Sequence, residues 1–546
     1  MKLRSSLMVL AAALTTAAPA LAQAPVRMAI AHERIQRLDV KEAHDMLDSL
    51  SADDPDVARE KALLAVYDGD CDRAVALLAK APAATREALG GLDEVARGCQ
   101  RVTAGAIIVA DEARGLEFRL KDERDRALVP YLAEVAELAV AALDRDLGVR
   151  LPRPVRIEVV PDHFSLAAMT GLPEEAAQTT GTVAVAKWGR VTMLSPRAAP
   201  HGYPWADTLM HELVHLSVTR ATRDRAPLWL QEGTAKREET RWRSPWPWDD
   251  VPLPDAVARA GFDKGIALPL DKLGPSIAML PTAEQAMVAF SEVHGFLRYF
   301  LAESGDAALP KLLDAIALEP GDDPASGALS RTTNASLSQW SERWQKHLAD
   351  VPPAEGALSG GKKQDPAAMR ELMKKARIGE LLAERGHPAV ALPYLERSSE
   401  LSRGDASGRA RLAQALRAAG RASEAERVLG GLSDVRGPHG LYLAMRGAVL
   451  REKGDPGAID AFRWGRWLSP FDVEVACEAQ DSRLSDPNGA ALCEAAHAWR
   501  GRLPPWWHFA SSCDLRSDVD RPFSGGLPFS RRAPFIGRDV CFRALE

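Results

Sequence analysis

The chain has 546 residues, 46% hydrophobic and 26% charged, with a formal net charge of −6. That length exceeds what one hydrophobic core can organise and the composition is that of a folded chain, so a single small domain and a disordered protein are both excluded. Acids and bases are interspersed with no long basic block, which gives no footing for nucleic acid or an anionic membrane surface.

The first element is "MKLRSSLMVLAAALTTAAPALAQAP", with Lys2 and Arg4 ahead of an apolar run and the small-residue pattern Ala20-Leu21-Ala22. It predicts a secretory signal peptide over residues 1–22, too short in its apolar run for the roughly 20 residues of a spanning helix. The expectation is an exported chain, periplasmic or extracellular, without a membrane span. Six cysteines agree with that compartment, and the simplest pairing joins sequence neighbours: Cys71 with Cys99, Cys477 with Cys493, Cys513 with Cys541.

Residues 23–100 read as helices rich in Ala, Leu and charge, with Ala62, Gly69 and Ala74 at helix-turn-helix spacing. Residues 101–350 change texture. "AGAIIVAD", "LEFRL", "VRIEVVP" and "RVTMLSP" read as strands, and "VPYLAEVAELAVAALDRDLGV" as an amphipathic helix. From Asp207 onward the pattern is mainly helical, as far as a closing helix with Trp340 and Trp344. Strands followed by helices define an α+β domain.

A Pro/Gly/Ser/Lys-rich linker follows at residues 351–367. Beyond it Gly386, Gly420 and Gly454 recur every 34 residues, each preceded by a small residue seven positions earlier: Gly379, Ala413 and Gly447. Residues 368–472 thereby resemble three tetratricopeptide repeats, whose small positions let paired helices approach and whose glycines end the first helix. Such repeats either bind a protein partner or brace the neighbouring domain. Residues 473–546, with four cysteines and "LPPWWHF", read as a stapled cap.

The chemistry lies in "TLMHELVHLSVTRATRDRAPLWLQEGTAK", Thr208 to Lys236. Apolar residues at Leu209, Leu213 and Leu216 predict a helix, on which His211 and His215, four apart, aim at one point. Glu212 borders that point and can take a proton from a metal-bound water. Zinc needs a third protein ligand, and Glu232 on a following antiparallel helix supplies an oxygen. Asp207, on the same face as His211, either steadies that imidazole or favours the positive end of its helix.

"HELVH" followed by "PLWLQEGTA" resembles the gluzincin metallopeptidases, and more narrowly the peptidase MA-like family with its Trp-x-x-Glu-Gly-x-Ala signature. The resemblance covers roughly residues 101–350 and implies a zincin-like α+β fold flanked by all-α tetratricopeptide-like helical repeats. It implies Zn2+ held by His211, His215 and Glu232, with Glu212 as general base, and "RVTMLSP" as an edge strand above the cleft. Such enzymes place a Tyr or His at the oxyanion. His294 in "VAFSEVHGFLRYF" is the preferred substitute here, with Tyr203 as a weaker one. Lys236 stands where some gluzincins carry an acidic supporting residue, which leaves Glu238, Glu239 or no residue for that task. The Gly-x-Met-Glu-Asn element of the aminopeptidase branch is missing, so the resemblance implies an endopeptidase acting on a protein or peptide, with the repeats recognising protein. Two alternatives stand beside it: a catalytically inactive zincin and repeat scaffold in the cell envelope, and a maturing enzyme whose propeptide is the segment 23–100.

Overall fold

In this computed structural model the described residues are 25–51, 53–80, 91–199, 202–321, 323–354, 358, 366–402, 404–478 and 486–500. The expected signal peptide, the Cys513–Cys541 pair and "LPPWWHF" lie outside them. The described chain is mostly helical around one mixed sheet of five strands, compatible with an α+β unit carrying helical repeats. None of its helices is long and apolar enough to cross a membrane.

The sheet holds β1 (Ile107–Asp111), β2 (Leu116–Leu120), β3 (Val155–Val160), β4 (Ala184–Lys187) and β5 (Arg190–Leu194), in the spatial order β1-β2-β3-β5-β4. β2, β3 and β5 are parallel, and β1 and β4 close the two edges antiparallel. All four expected strands are present. One expectation needs correction: "RVTMLSP" is β5, one position in from the edge, and the edge strand is β4, "AVAK". The two are joined by the two-residue turn Trp188-Gly189, both in the left-handed region at φ 56° and 71°, the geometry of a type I′ hairpin.

Period-2 alternation gives the sheet two different faces. Phe118, Ile157, Val191 and Met193 point into the main core with Leu209 and Leu213 of the helix Trp205–Thr222. Glu117, Arg119, Arg156, Glu158 and Arg190 alternate with them. Such a row reads as a solvated face, yet it is covered by the N-terminal helices. Arg119, Arg156 and Arg190 donate to the carbonyls of Gly69, Tyr67 and Val66 at the end of the helix Pro55–Asp68. Carbonyls at a helix C-terminus carry partial negative charge, which three guanidinium groups here meet.

The N-terminal segment forms helices over 25–36, Val40–Leu47, Pro55–Asp68, Cys71–Lys80 and Leu92–Thr103. Ala62 and Ala74 are fully buried, Gly69 turns the chain at φ 71°, and a disulfide joins Cys71 to Cys99. The C-terminal segment is a run of helical hairpins, turned at Gly386, Gly420 and Gly454 with φ of 79°, 76° and 74°. The small positions act as expected: a Cβ at Gly379 would stand 2.5 Å from Leu395, and one at Gly447 would stand 2.9 Å from Phe462. Cys477 and Cys493 are bonded.

These hairpins are braced against the domain. The Trp205 indole donates to the Arg466 carbonyl at 2.8 Å and that of Trp248 to Val435 at 3.0 Å, while Trp242 and Trp246 pack on Trp467 and Trp464. Buried indoles supply large contact area, and those of Trp205 and Trp248 add one directional bond each.

Candidate metal centre

The motif helix Trp205–Thr222 buries Leu209, Leu213, Leu216 and Val218 and ends with Arg223 and Asp224 in left-handed conformations, φ 57° and 58°. That tight reversal, with Pro227 as the cap, starts the return helix Leu228–Glu238 antiparallel beside it. The return helix is pressed in turn against the long helix Ala283–Ser304, where Gly233 allows the Val293 carbonyl to come close.

This packing brings three donor atoms together. Glu232 Oε2 lies 3.4 Å from His211 Nε2 and 3.6 Å from His215 Nε2, and the three ligating atoms fall within 4.8 Å of one another. Tetrahedral zinc with bonds of about 2.0–2.1 Å separates its donors by about 3.3 Å, so the observed spacing fits that ion. Glu232 Oε2 is buried and accepts no hydrogen bond among the described residues, the condition of an oxygen whose lone pair is meant for something else.

Each imidazole is held from behind. His211 Nδ1 faces Glu239 Oε2 at 3.1 Å, and His215 Nδ1 faces the Gln231 side-chain oxygen at 3.2 Å. These contacts direct both Nε2 atoms at Glu232. Of the alternatives open in the sequence, Glu239 takes the acidic position, with Lys236 paired to its other oxygen. Glu238 pairs with Arg237 and Arg241 instead. Asp207 is taken up by Arg243, which it meets at 2.8 Å through both oxygens, and by the Trp242 indole. Gln231 was not singled out in the sequence. It directly precedes Glu232, but its part depends on a tertiary contact.

The electrostatics are those of a balanced cluster. Burial opposes charge on His211, but Glu232 and Glu239 on its two nitrogens overcome this and push it up to about 10. His215 is raised in the same way against burial, chiefly by Glu232. Burial also opposes ionisation of Glu232, but the two histidines hold its carboxyl well below the usual range. Glu212, only 7% exposed, is pushed up by burial. Its Oε2 accepts the backbone N–H of Ala186 in β4 at 2.6 Å, which sets its carboxyl at the sheet edge beside the two histidines.

The residues proposed for an oxyanion have other partners. His294 is buried with its Nδ1 3.7 Å from Asp250, and burial holds it neutral, down to about 4. Among the described residues it makes no hydrogen bond or ion pair with His211, Glu212, His215 or Glu232. Phe290, one turn earlier, is the residue of that helix whose ring lies by His211, at 6.5 Å. The Tyr203 hydroxyl donates to the Leu194 carbonyl. A cavity of about 630 Å³ lined by Arg237, Asp255, Arg298, Tyr299 and His347 lies apart, sharing no lining residue with the donor cluster.

Against known protein families, curated proteins and solved structures, the chain finds no match in any of the three comparisons.

Proposed function

We propose that the protein is a zinc-dependent hydrolase of the gluzincin type, an exported endopeptidase acting on protein or peptide. The observation that carries this reading is the convergence of His211 Nε2, His215 Nε2 and Glu232 Oε2 within 4.8 Å, with the Glu212 carboxylate on the same helix turn. The charges around the imidazoles add to it: Glu232 and Glu239 stand against their nitrogens as the counter-charges a divalent ion requires.

His211, His215 and Glu232 would hold the ion. Bound zinc supplies Lewis acidity, lowering the pKa of a water and polarising a carbonyl. Glu239 and Gln231 keep the imidazoles aimed. Glu212 would receive the proton of the attacking water and return it to the leaving amine. The repeats, braced by the tryptophan contacts, hold the N-terminal part of the motif helix. Recognition of a protein partner is a second use for them.

One observation favours the scaffold reading. His294 and Tyr203 hold other partners, Asp250 and the Leu194 carbonyl, and neither makes a hydrogen bond or ion pair with the cluster among the described residues. A single comparison separates the two. Glu212→Gln is expected to retain one zinc per chain and to lose cleavage of labelled casein. Retention of zinc with no cleavage by the unmutated protein, across a broad substrate set, would leave the scaffold; metal-free protein would remove both.

A further inference from the structure

We propose that the N-terminal helical arm is a working part of the metal centre and not a removable segment: it grips the tip of the β4–β5 hairpin and so holds the Ala186 amide against Glu212. The inference rests on the reading of Glu212 as the base of the site.

The hairpin register makes Ala186 available. Lys187 pairs with Arg190 across the two-residue turn, and the Leu194 N–H bonds to the Val183 carbonyl. In an antiparallel ladder bonded and non-bonded pairs alternate, so positions 183, 185 and 187 bond to β5 while Ala184 and Ala186 turn their peptide groups outward. β4 is the edge strand, so no further strand meets them. The Ala186 N–H points off the sheet at Glu212 Oε2, and it is the only hydrogen bond to that carboxyl among the described residues.

An edge strand of four residues takes its position from its ends, and the tip is held by the arm. The Tyr67 ring stands edge-on to Trp188, centroids 6.0 Å apart at 85°. A Cβ on Gly189 would lie 3.0 Å from the Tyr67 ring and 3.6 Å from Leu38, so both residues close over the turn. Lys187 reaches the Thr170 carbonyl at 3.1 Å. At the root of β5, Arg190 is fully buried, bonded to Glu158 at 3.1 Å and to the Val66 carbonyl of the arm. Loss of the arm would take the carbonyl acceptors from that guanidinium and from those of Arg119 and Arg156, leaving the three beside Glu117 and Glu158 alone. The arm covers the charged face of the sheet, while the motif helix packs on the apolar face. It therefore reaches the metal centre through the hairpin, and a propeptide would have no need of such a grip.

The test uses the full chain and reads three quantities: hydrogen exchange of the Ala186 amide, zinc per chain, and kcat and KM on labelled casein. In the unmutated protein the outward-facing Ala186 amide should exchange slowly. Tyr67→Ala should speed it by at least about tenfold and lower kcat by a similar factor, with KM and zinc content unchanged, since small displacements of a catalytic group act on turnover. Tyr67→Phe, which keeps the ring, should restore both. Ala186→Pro removes the donor at a position that gives nothing to the ladder, and should lower kcat. Leu38→Ala loosens the same grip if Tyr67→Ala fails to fold. Unchanged exchange and kcat in Tyr67→Ala and Leu38→Ala would overturn the proposal. Faster exchange in a protein whose unmutated form cleaves nothing would support the grip while removing the peptidase reading.

Discussion

Gly233 follows Glu232 in the return helix, and a Cβ built there would stand 2.8 Å from the Val293 carbonyl oxygen and 3.4 Å from Leu297 Cβ. The first of these is backbone of the neighbouring helix, so it cannot swing aside. In a close-packed interior the two helices must part by about 0.5 Å to admit the methyl group. Overpacking of this kind costs about 1–3 kcal/mol, while the helix gains about 1 kcal/mol from replacing glycine by alanine. Gly233→Ala should therefore lose up to about 2 kcal/mol in urea unfolding of the metal-free protein. Metal donors tolerate displacements of only about 0.2 Å, and Glu232 moves with its helix, so zinc affinity should fall about tenfold or more in a chelator competition. A variant stabilised by about 1 kcal/mol with undiminished zinc affinity would refute the close approach and, with it, the way Glu232 is delivered to the histidines.

Glu239→Gln keeps the shape but removes the negative charge behind His211. Zinc affinity should fall about 10–100-fold in the same competition, and an unchanged affinity would place the support elsewhere. Glu292 is fully buried in the helix Ala283–Ser304, and burial pushes its carboxyl up to about 8 against an ordinary 4.5. Between those values the folded chain holds a proton that the unfolded chain releases, so this group's contribution to stability falls as pH rises, by about 1.4 kcal/mol per unit. Glu292→Gln should match the unmutated protein near pH 4.5 and become progressively more stable than it up to about pH 8; a difference independent of pH would show a carboxylate ionised in the fold.

The legible part of this molecule is the part whose information is local. His211, Glu212 and His215 are fixed by one helical turn, and Glu232 by a short reversal, so spacing alone brings them together. The repeat glycines are legible for the same reason, since the turns at Gly386, Gly420 and Gly454 need a left-handed residue every 34 positions. β4 escaped notice because it has four residues and its turn is Trp-Gly, without the Asn or Asp that marks a type I′ hairpin. The arginines of "LEFRL", "VRIEVV" and "RVTML" alternate with apolar residues as a solvated face would. Only the helix end that settles on them turns that face into an interior. Gln231 and Glu239 share the difficulty, because a carboxylate or amide near a motif acquires its task from three-dimensional contact. His294 is a further case: its nearest charged partner is Asp250, a contact that no spacing in the sequence announces.

Zinc content of the purified full chain, measured by elemental mass spectrometry after dialysis, tests the donor cluster most directly. One zinc per chain is expected, falling to none in the double variant His211→Ala/His215→Ala and held at least tenfold more weakly in Glu232→Ala, whose removed oxygen is one of the three converging donors. A chain that takes up no zinc, or one that keeps it at full affinity without Glu232, would contradict the account.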